Sequence, residues 1–137
     1  MEKNIEKEIS SFKLACVIAR TLDDKKAGDI AILDISNVSV LADYFVITSV
    51  ETATQVKALT SNTREIIKKN FGRIPAGEEN DNKNRWNLLD YGDVIVHVLH
   101  NEERETYAIE KFWNHACTVT REAWEEESKE YSLYENQ

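Results

Sequence analysis

The stretch W-N-L-L-D-Y-G-D-V-I-V-H-V-L, residues 86–99, decides the fold of this chain. Two apolar, largely β-branched segments flank Tyr91 and Gly92, and a glycine between two such segments is typical of a tight hairpin. We therefore predict antiparallel strands at 86–90 and 93–99.

The second of these segments is apolar on both faces of its predicted strand. Successive side chains point to opposite faces of a strand, so the residues divide into two sets. One set is Val94, Val96 and Val98, and the other is Ile95, His97 and Leu99. Such a strand is typical of the centre of a sheet that helices cover on both sides.

The composition is that of an acidic chain of single-domain length. The chain has 137 residues and a formal net charge of -8 at pH 7. Clustered Lys and Arg are needed to contact nucleic-acid phosphates, so this charge argues against direct DNA or RNA binding and favours a basic partner. No apolar run approaches the roughly 18 residues of a membrane span, and the N-terminal residues lack the apolar core of a signal peptide. We therefore expect a cytoplasmic protein without a membrane anchor.

Hydrophobic spacing predicts the elements of the first half. Apolar residues at three- and four-residue steps predict a helix of about 18 residues from Ile5 onward. Short apolar runs predict buried strands at 29–35 and 44–50. Thr52 and Gln55 fit a capping box, which predicts a second helix that ends at Gly72.

The second half adds a loop, a helix and an acidic tail. The segment 73–85 contains the only proline and a polar cluster, so we predict a loop with one short edge strand near Ile74. Asn101 is predicted to cap a third helix. The apolar stripe of that helix is Ala108, Ile109, Phe112 and Ala116. The acid-rich segment 117–137 is predicted to be a C-terminal tail that can form a frayed helix.

Two histidines and two aspartates are candidates for chemistry. His97 and His100 are three apart on a strand and therefore face opposite sides, which disfavours a zinc site and predicts a half-buried His97 with a hydrogen-bonded ring. Asp90 and Asp93 could bind a divalent cation or act as an acid–base pair. They could equally accept hydrogen bonds from the backbone of the turn that they flank.

Trp86 is the candidate interface residue. Burial in the core is the common situation of a tryptophan, but Trp86 directly follows the polar segment 80–85 and has acidic residues nearby, a setting typical of an interface anchor. The sequence predicts that charged and aromatic residues meet at one end of the sheet.

Several segments together resemble the ribosomal silencing factors, also called Iojap-like proteins. They are D-I-A-I-L-D-I-S at 29–36, A-D-Y-F-V-I-T-S at 42–49, Gln55-Val56, the hairpin at 86–99, and R-E-T-Y-A-I-E-K-F-W at 104–113. The resemblance implies an α/β (mixed α+β) fold, with a small mixed sheet of about five strands and helices packed on its faces. This architecture is similar to that of nucleotidyltransferases. The family domain would span residues 1–116, followed by the tail at 117–137.

The resemblance also implies a function without catalysis, metal or cofactor. Members of the family bind ribosomal protein fourteen of the large subunit, block joining of the small subunit and so repress translation, and many are homodimers when free. The implied partner-binding residues are Trp86, Asp90, Tyr91, Asp93, Glu78, Tyr107, Glu110 and Trp113. The chain departs from the family pattern at Glu79, where a glycine is usual, and at Arg85, where a small residue is usual.

Two alternatives stay open from the sequence. A metal-dependent nucleotidyltransferase would use Asp34, Asp90 and Asp93, but it needs carboxylates that converge on one metal, and the sequence contains no Gly-rich phosphate loop. A dimeric scaffold that acts on another ribosome-assembly partner is the third interpretation.

Overall fold

The computed structural model describes residues 9–131, and these residues form one mixed β-sheet with five helices. The strands are β1 (Gly28–Asp34), β2 (Tyr44–Val50), β3 (Gly77–Asn80), β4 (Trp86–Asp90), β5 (Val94–His100) and β6 (Cys117–Val119). The helices are α1 (Ser11–Asp24), α2 (Ala53–Phe71), α3 (Asn101–Tyr107), α4 (Ile109–Phe112) and α5 (Arg121–Ser128). The strand order is β3-β4-β5-β2-β1-β6, and only the β2–β5 pair is parallel.

The predicted central strand is confirmed, because β5 lies between β4 and β2. Helices α1 and α2 pack on one side of the sheet, which we call the inner face and which carries Val94, Val96 and Val98. Helix α5 packs on α1 and adds Trp124 to the same core. The opposite side, the outer face, carries Leu99 and half-buried Ile95. The segment 109–116 covers the outer face over β1 and β2. Helices therefore cover the inner face well and the outer face only in part.

Local sequence signals account for the ends of α1 and α2. The Ser10 hydroxyl accepts the Lys13 backbone N–H, so α1 begins at residue 11, and the predicted start at Ile5 lies outside the described residues. The predicted capping box is confirmed, because Thr52 and Gln55 exchange both hydrogen bonds. Gly72 ends α2 in a left-handed conformation (φ 67°) that suits a residue without a Cβ. Within residues 9–131, no helix combines the length and the apolar character that crossing a bilayer requires.

The edge strand forms later in the chain than predicted. β3 begins at Gly77 and pairs antiparallel with β4, whereas Ile74 is 66% exposed and lies outside the sheet. Pro75 cannot donate a ladder hydrogen bond, which delays the strand until after the proline. With β3 and β6, the described part of the chain has six strands rather than about five.

The third helix is shorter than predicted and has a different cap. His100 rather than Asn101 is the N-cap, and its Nδ1 accepts the Glu102 backbone N–H at 3.0 Å. Ala108 adopts a left-handed conformation (φ 46°) that ends α3 and begins the separate helix α4. The predicted continuous apolar stripe is wrong, because Phe112 is 79% exposed.

The acidic segment is integrated into the fold over its described part. β6 adds to β1 at the edge of the sheet, and α5 packs on α1. Trp124 is only 2% exposed and belongs to the inner core. Arg20 of α1 donates to the Ser128 hydroxyl at 2.9 Å, which ties the two helices together. The helix predicted in this segment is present as α5, and it is a packed helix rather than a frayed one.

Replacing Trp124 by alanine should therefore destabilise the whole domain. Truncating a buried tryptophan removes its apolar contacts and leaves a cavity, which costs roughly 3–5 kcal/mol. Urea unfolding of Trp124→Ala should show this loss in the free energy of unfolding. Ile74→Ala is the control, because an exposed side chain should change that free energy by less than about 0.5 kcal/mol. Equal stability of the two variants would contradict the packing of α5.

Candidate partner-binding site

Six rings form a continuous row across the outer face of the sheet. This aromatic row comprises Tyr107, Trp86, His97, Phe45, Trp113 and Phe112, in spatial order. Neighbouring centroids lie between 4.8 and 6.0 Å apart, which is the separation of contacting aromatic pairs. The two ends are exposed, 58% for Tyr107 and 79% for Phe112, whereas the middle of the row is buried.

The alternation of side chains along the strands and the interruption between helices α3 and α4 bring the aromatic row together. The middle rings come from adjacent strands β4, β5 and β2, at positions that share the outer face. Tyr107 is the last residue of α3 and lies against Trp86, with 5.0 Å between ring centroids. The left-handed backbone of Ala108 then redirects the chain, and Trp113 packs edge-on against the ring contributed by β2.

A groove beside the tryptophan combines apolar walls with acidic groups. This Trp86 groove has a volume of about 450 Å³. Its lining residues are Glu79, Asn80, Asp81, Trp86, Leu88, Glu103 and Tyr107. Trp86 and Leu88 are half-buried, and none of these described lining residues is a lysine or an arginine. Such a groove suits a basic side chain, whose apolar stem can lie on the walls while its charge meets the acids.

Arg85 links the start of β4 to helix α3. Its guanidinium donates to Glu102 at 2.6 Å and to Glu103 at 2.8 Å. The hydrogen bond from Arg85 lowers the pKa of the Glu103 carboxyl below its ordinary value, so this group is ionised at neutral pH. The Asp81 carboxylate also fixes the start of β4, because it accepts hydrogen bonds from the backbone N–H groups of Arg85 and Trp86, at 2.7 and 3.4 Å.

Two of the acids predicted at the site form ion pairs on the far side of the sheet or beyond its edge. Glu78 pairs in register with Leu89 of the inner core, so its side chain faces α2 and contacts Arg64 at 3.0 Å. Asp93 accepts two hydrogen bonds from the guanidinium of Arg73, at 3.0 and 3.3 Å. These pairs partly neutralise the charge that the sequence assigns to a binding surface.

Three further residues predicted at the site, two in the hairpin and one on α4, also have partners or are buried. Asp90 accepts the Gly92 backbone N–H at 2.8 Å, which is the turn-stabilising role considered from the sequence. Tyr91 is 5% exposed in the inner core, and burial raises the pKa of its hydroxyl. Glu110 forms an ion pair with Arg104. These side chains therefore serve the fold directly.

The sequence predicts that the hairpin brings charged and aromatic residues together at one end of the sheet. This prediction is wrong. Trp86 and Asp90 occupy the two ends of β4 and are four residues apart, which is about 13 Å along a strand. Of the eight predicted residues, only Trp86, Tyr107 and Trp113 belong to the aromatic row. The sequence predicts neither a strand at 77–80 nor its register with β4, so it could not show which of Glu78 and Glu79 shares the face of Trp86.

Sequence reasoning missed three acids of the Trp86 groove as site residues. Glu79 pairs in register with Leu88, which places it on the outer face beside Trp86. Asp81 and Glu103 reach the groove from the β3–β4 connection and from α3. The polar cluster before Trp86 was the available signal, because alternate residues of a strand beside a candidate anchor must share its face.

His97 is the polar member of the aromatic row. It is 6% exposed, and its Nδ1 accepts the indole N–H of Trp86 at 3.2 Å. Its Nε2 has no hydrogen-bond partner among residues 9–131. Burial lowers the pKa of His97 from 6.5 to about 4, so the imidazole is neutral at physiological pH. The hydrogen-bonded ring predicted from the sequence is present, although it is buried rather than half-buried.

The carboxylates of the alternative enzyme interpretation have separate local partners. Asp34 bonds Ser36, whereas Asp90 and Asp93 bond the groups described above. Among the described residues, the group spaced for a metal is His100, Glu102 and Glu103. Arg85 already donates to both glutamates, so a cationic group occupies this cluster.

Comparison with known proteins identifies the family. Residues 8–136 match the family described as "Ribosomal silencing factor during starvation". The chain belongs to this family. It is 39% identical over 100 residues to the ribosomal silencing factor RsfS of Bacillus subtilis, covering 73% of this chain and 84% of the relative. It is 34% identical over 114 residues to RsfS of Halalkalibacterium halodurans, covering 83% and 97%.

Plant and structural relatives of this silencing factor agree with that assignment. The chloroplastic protein Iojap of Arabidopsis thaliana is 29% identical over 115 residues, which are 84% of this chain and 48% of that protein. A crystal structure from Chromobacterium violaceum has a TM-score of 0.73 at 30% identity and covers 77% of this chain and 88% of its own. One from Bacillus halodurans has a TM-score of 0.64 at 33% identity and covers 79% and 94%. The predicted family and mixed α/β fold are confirmed.

The buried imidazole makes the stability of this silencing factor depend on pH. The unfolded chain protonates His97 near pH 6.5 and the folded chain only near pH 4, so the unfolded state binds more protons between these values and stability falls as the pH is lowered. The contribution lost by pH 4 is about 3 kcal/mol.

Urea unfolding of wild type and His97→Leu from about pH 7 to pH 4 measures this effect. Carboxylates titrate in both proteins, so the difference between the two curves isolates the imidazole. The variant should lose about 3 kcal/mol less free energy of unfolding over that range. Parallel pH dependence of the two proteins would show that His97 has the same pKa in the folded and unfolded states.

Proposed function

We propose that this silencing factor binds the large ribosomal subunit through ribosomal protein fourteen and prevents the small subunit from joining. The observation that carries the proposal is the Trp86 groove, in which a half-buried indole stands between exposed Tyr107 and three acids on an incompletely covered sheet face. A large aromatic ring in a partly desolvated setting with a polar rim has the features of an interface hot spot.

The charge of the chain supports a basic partner. The formal net charge is -8, and Glu79 and Asp81 place negative charge beside the tryptophan, whereas Arg85 partly neutralises Glu103. Ribosomal proteins that contact RNA are basic, since they neutralise phosphates. Opposite potentials on the two partners would speed their encounter and fix their relative orientation.

The proposed mechanism is steric exclusion. A chain of 137 residues forms a domain roughly 30 Å across. Bound at the surface that receives the small subunit, a body of this size would occupy volume that the second subunit needs. An interface of standard size, roughly 1,600 Å² in total, would be enough for specific binding. This mechanism makes and breaks no covalent bond.

The proposed binding surface is centred on the Trp86 groove rather than on the hairpin turn. Tyr107 flanks the groove, while Trp113 extends the surface along the aromatic row. Asp90, Asp93 and the other predicted acids would contribute less to binding, because their ion pairs and turn contacts leave them less charge to offer. A homodimer of the free protein stays a prediction.

Removing the indole should strongly weaken binding while leaving the fold intact. Hot-spot residues typically contribute 2 kcal/mol or more, so Trp86→Ala should weaken binding to isolated large subunits by about 30-fold or more. Co-sedimentation measures the binding, and assembly of whole ribosomes from both subunits measures the block. Leu41→Ala is the control, because Leu41 is a 71% exposed apolar residue on the β1–β2 connection, outside the groove. Wild-type binding by Trp86→Ala would remove Trp86 from the site.

Adjacent glutamates on β3 provide a matched test of which face binds. Glu79→Gln removes one negative charge from the groove, whereas Glu78→Gln removes one from the inner side of the same strand. A single charge at the edge of an interface contributes roughly 0.5–1 kcal/mol, so Glu79→Gln should weaken binding about threefold at low salt. Glu78→Gln should cost less. The reverse order in titrations with large subunits would place the partner on the inner side.

A further inference from the structure

One hydrogen bond sets the orientation of the Trp86 ring. In the β4–β5 ladder Trp86 is opposite Leu99 and His97 is opposite Leu88, so Trp86 and His97 are diagonal neighbours on the outer face. Long side chains at diagonal positions can reach each other. Here the indole N–H donates to His97 Nδ1 at 3.2 Å, and the ring centroids lie 6.0 Å apart.

The imidazole that accepts this bond is itself held in place. Phe45 on β2 packs against His97 in an edge-on arrangement, with 4.8 Å between centroids. His97 is 6% exposed, so its ring has little room to turn. Because Nδ1 is the acceptor, the neutral ring carries its proton on Nε2. The orientation of the acceptor therefore follows from the core of the sheet.

A histidine at this position is a poor choice for stability alone. Its Nε2 is buried and has no hydrogen-bond partner among the described residues. A buried donor without an acceptor is unfavourable, and an apolar residue would avoid this. Local departures of this kind from what stability favours are expected at functional sites. What distinguishes His97 from an apolar residue is the acceptor that it offers to the indole.

We propose that His97 is a positioning residue of the partner-binding surface. Its neutral imidazole holds the Trp86 indole in one orientation as a wall of the groove, so the ring need not lose freedom when the partner binds. The proposal rests on the proposed function and goes beyond it by assigning a role to a buried residue that the partner does not contact.

A second consequence concerns the chemistry of recognition at Trp86. The indole has a single donor, and that donor is already satisfied by His97. The partner group that meets Trp86 therefore contacts the face of the ring and needs no hydrogen-bond acceptor. A basic side chain meets this requirement, since a cation is attracted to an aromatic face and the groove acids can pair with its charge.

A double-mutant cycle tests the positioning role. Trp86→Phe keeps an aromatic ring but removes the N–H, and His97→Leu removes the acceptor. A hydrogen bond of ordinary strength corresponds to a change of about threefold to tenfold in affinity. Each single variant should weaken binding to isolated large subunits by about that factor, and the double variant should bind no more weakly than Trp86→Phe. His97→Asn should restore most of the affinity, because its Oδ1 takes the place of Nδ1.

The indole resonances provide a readout that does not depend on the ribosome. Proton–nitrogen spectra resolve one N–H signal for each of the three tryptophans, and Trp86→Phe identifies the signal of Trp86. In His97→Leu, this signal should shift and its proton should exchange faster with water, while the signals of Trp113 and Trp124 should stay in place. An unchanged Trp86 signal would overturn the proposal. Should His97→Leu not fold, Trp86→Phe and His97→Asn still test the bond.

The outcomes separate this proposal from the proposed function. Loss of binding in Trp86→Ala together with wild-type affinity in His97→Leu would overturn the positioning role alone. Affinity losses that multiply in the double variant would do the same, because they would show that His97 acts independently of the indole. Wild-type binding by Trp86→Ala would instead remove the binding site on which both proposals depend.

Discussion

Unequal covering of the two faces of the sheet is the constraint on which the rest of this structure depends. The central strand β5 is apolar on both sides, so both faces have to be buried. Helices α1 and α2, with α5 packed on α1, cover the inner face, whereas among residues 9–131 the outer face is covered mainly by the segment after α3. Leu88 and Ile95 consequently stay half-buried, and Trp86 becomes the wall of a groove. The proposed binding surface is thus the part of the core that residues 9–131 leave uncovered.

The charge on the proposed binding surface depends on which acids form ion pairs with arginines of the same chain. The net charge alone does not show which acids these are. Glu78, Asp93 and Glu110 each contact an arginine, whereas Glu79 lines the groove on a strand edge. Exposed ion pairs contribute little to stability, so their main effect here is on the distribution of charge. They reduce the charge that the acids near the turn can offer to a partner.

The sequence predicts the four strands β1, β2, β4 and β5 and the family, because those signals are local. The bounds of β2 and β4 follow from short apolar runs between turn residues, and the start of α2 follows from a capping box. The binding surface is harder to predict, because it depends on the pairing of β3 with β4 and on a left-handed backbone at Ala108. Alanine has no local preference for that conformation, so tertiary packing must impose it. Likewise, Trp124 looks like part of an acidic tail until α1 is seen beside it.

Arg85 joins helix α3 to the strand that carries Trp86. Its guanidinium bridges Glu102 and Glu103 in the first turn of α3. Two exposed ion pairs add little free energy, but they join the start of β4 to the helix whose last residue, Tyr107, lies against Trp86. The indole of Trp86 is thus hydrogen-bonded to His97 of β5 and lies against Tyr107 of α3. If the protein acts by occupying space, as proposed, it needs a rigid contact more than a reactive one, and both the ion pairs and the Trp86–His97 bond supply rigidity.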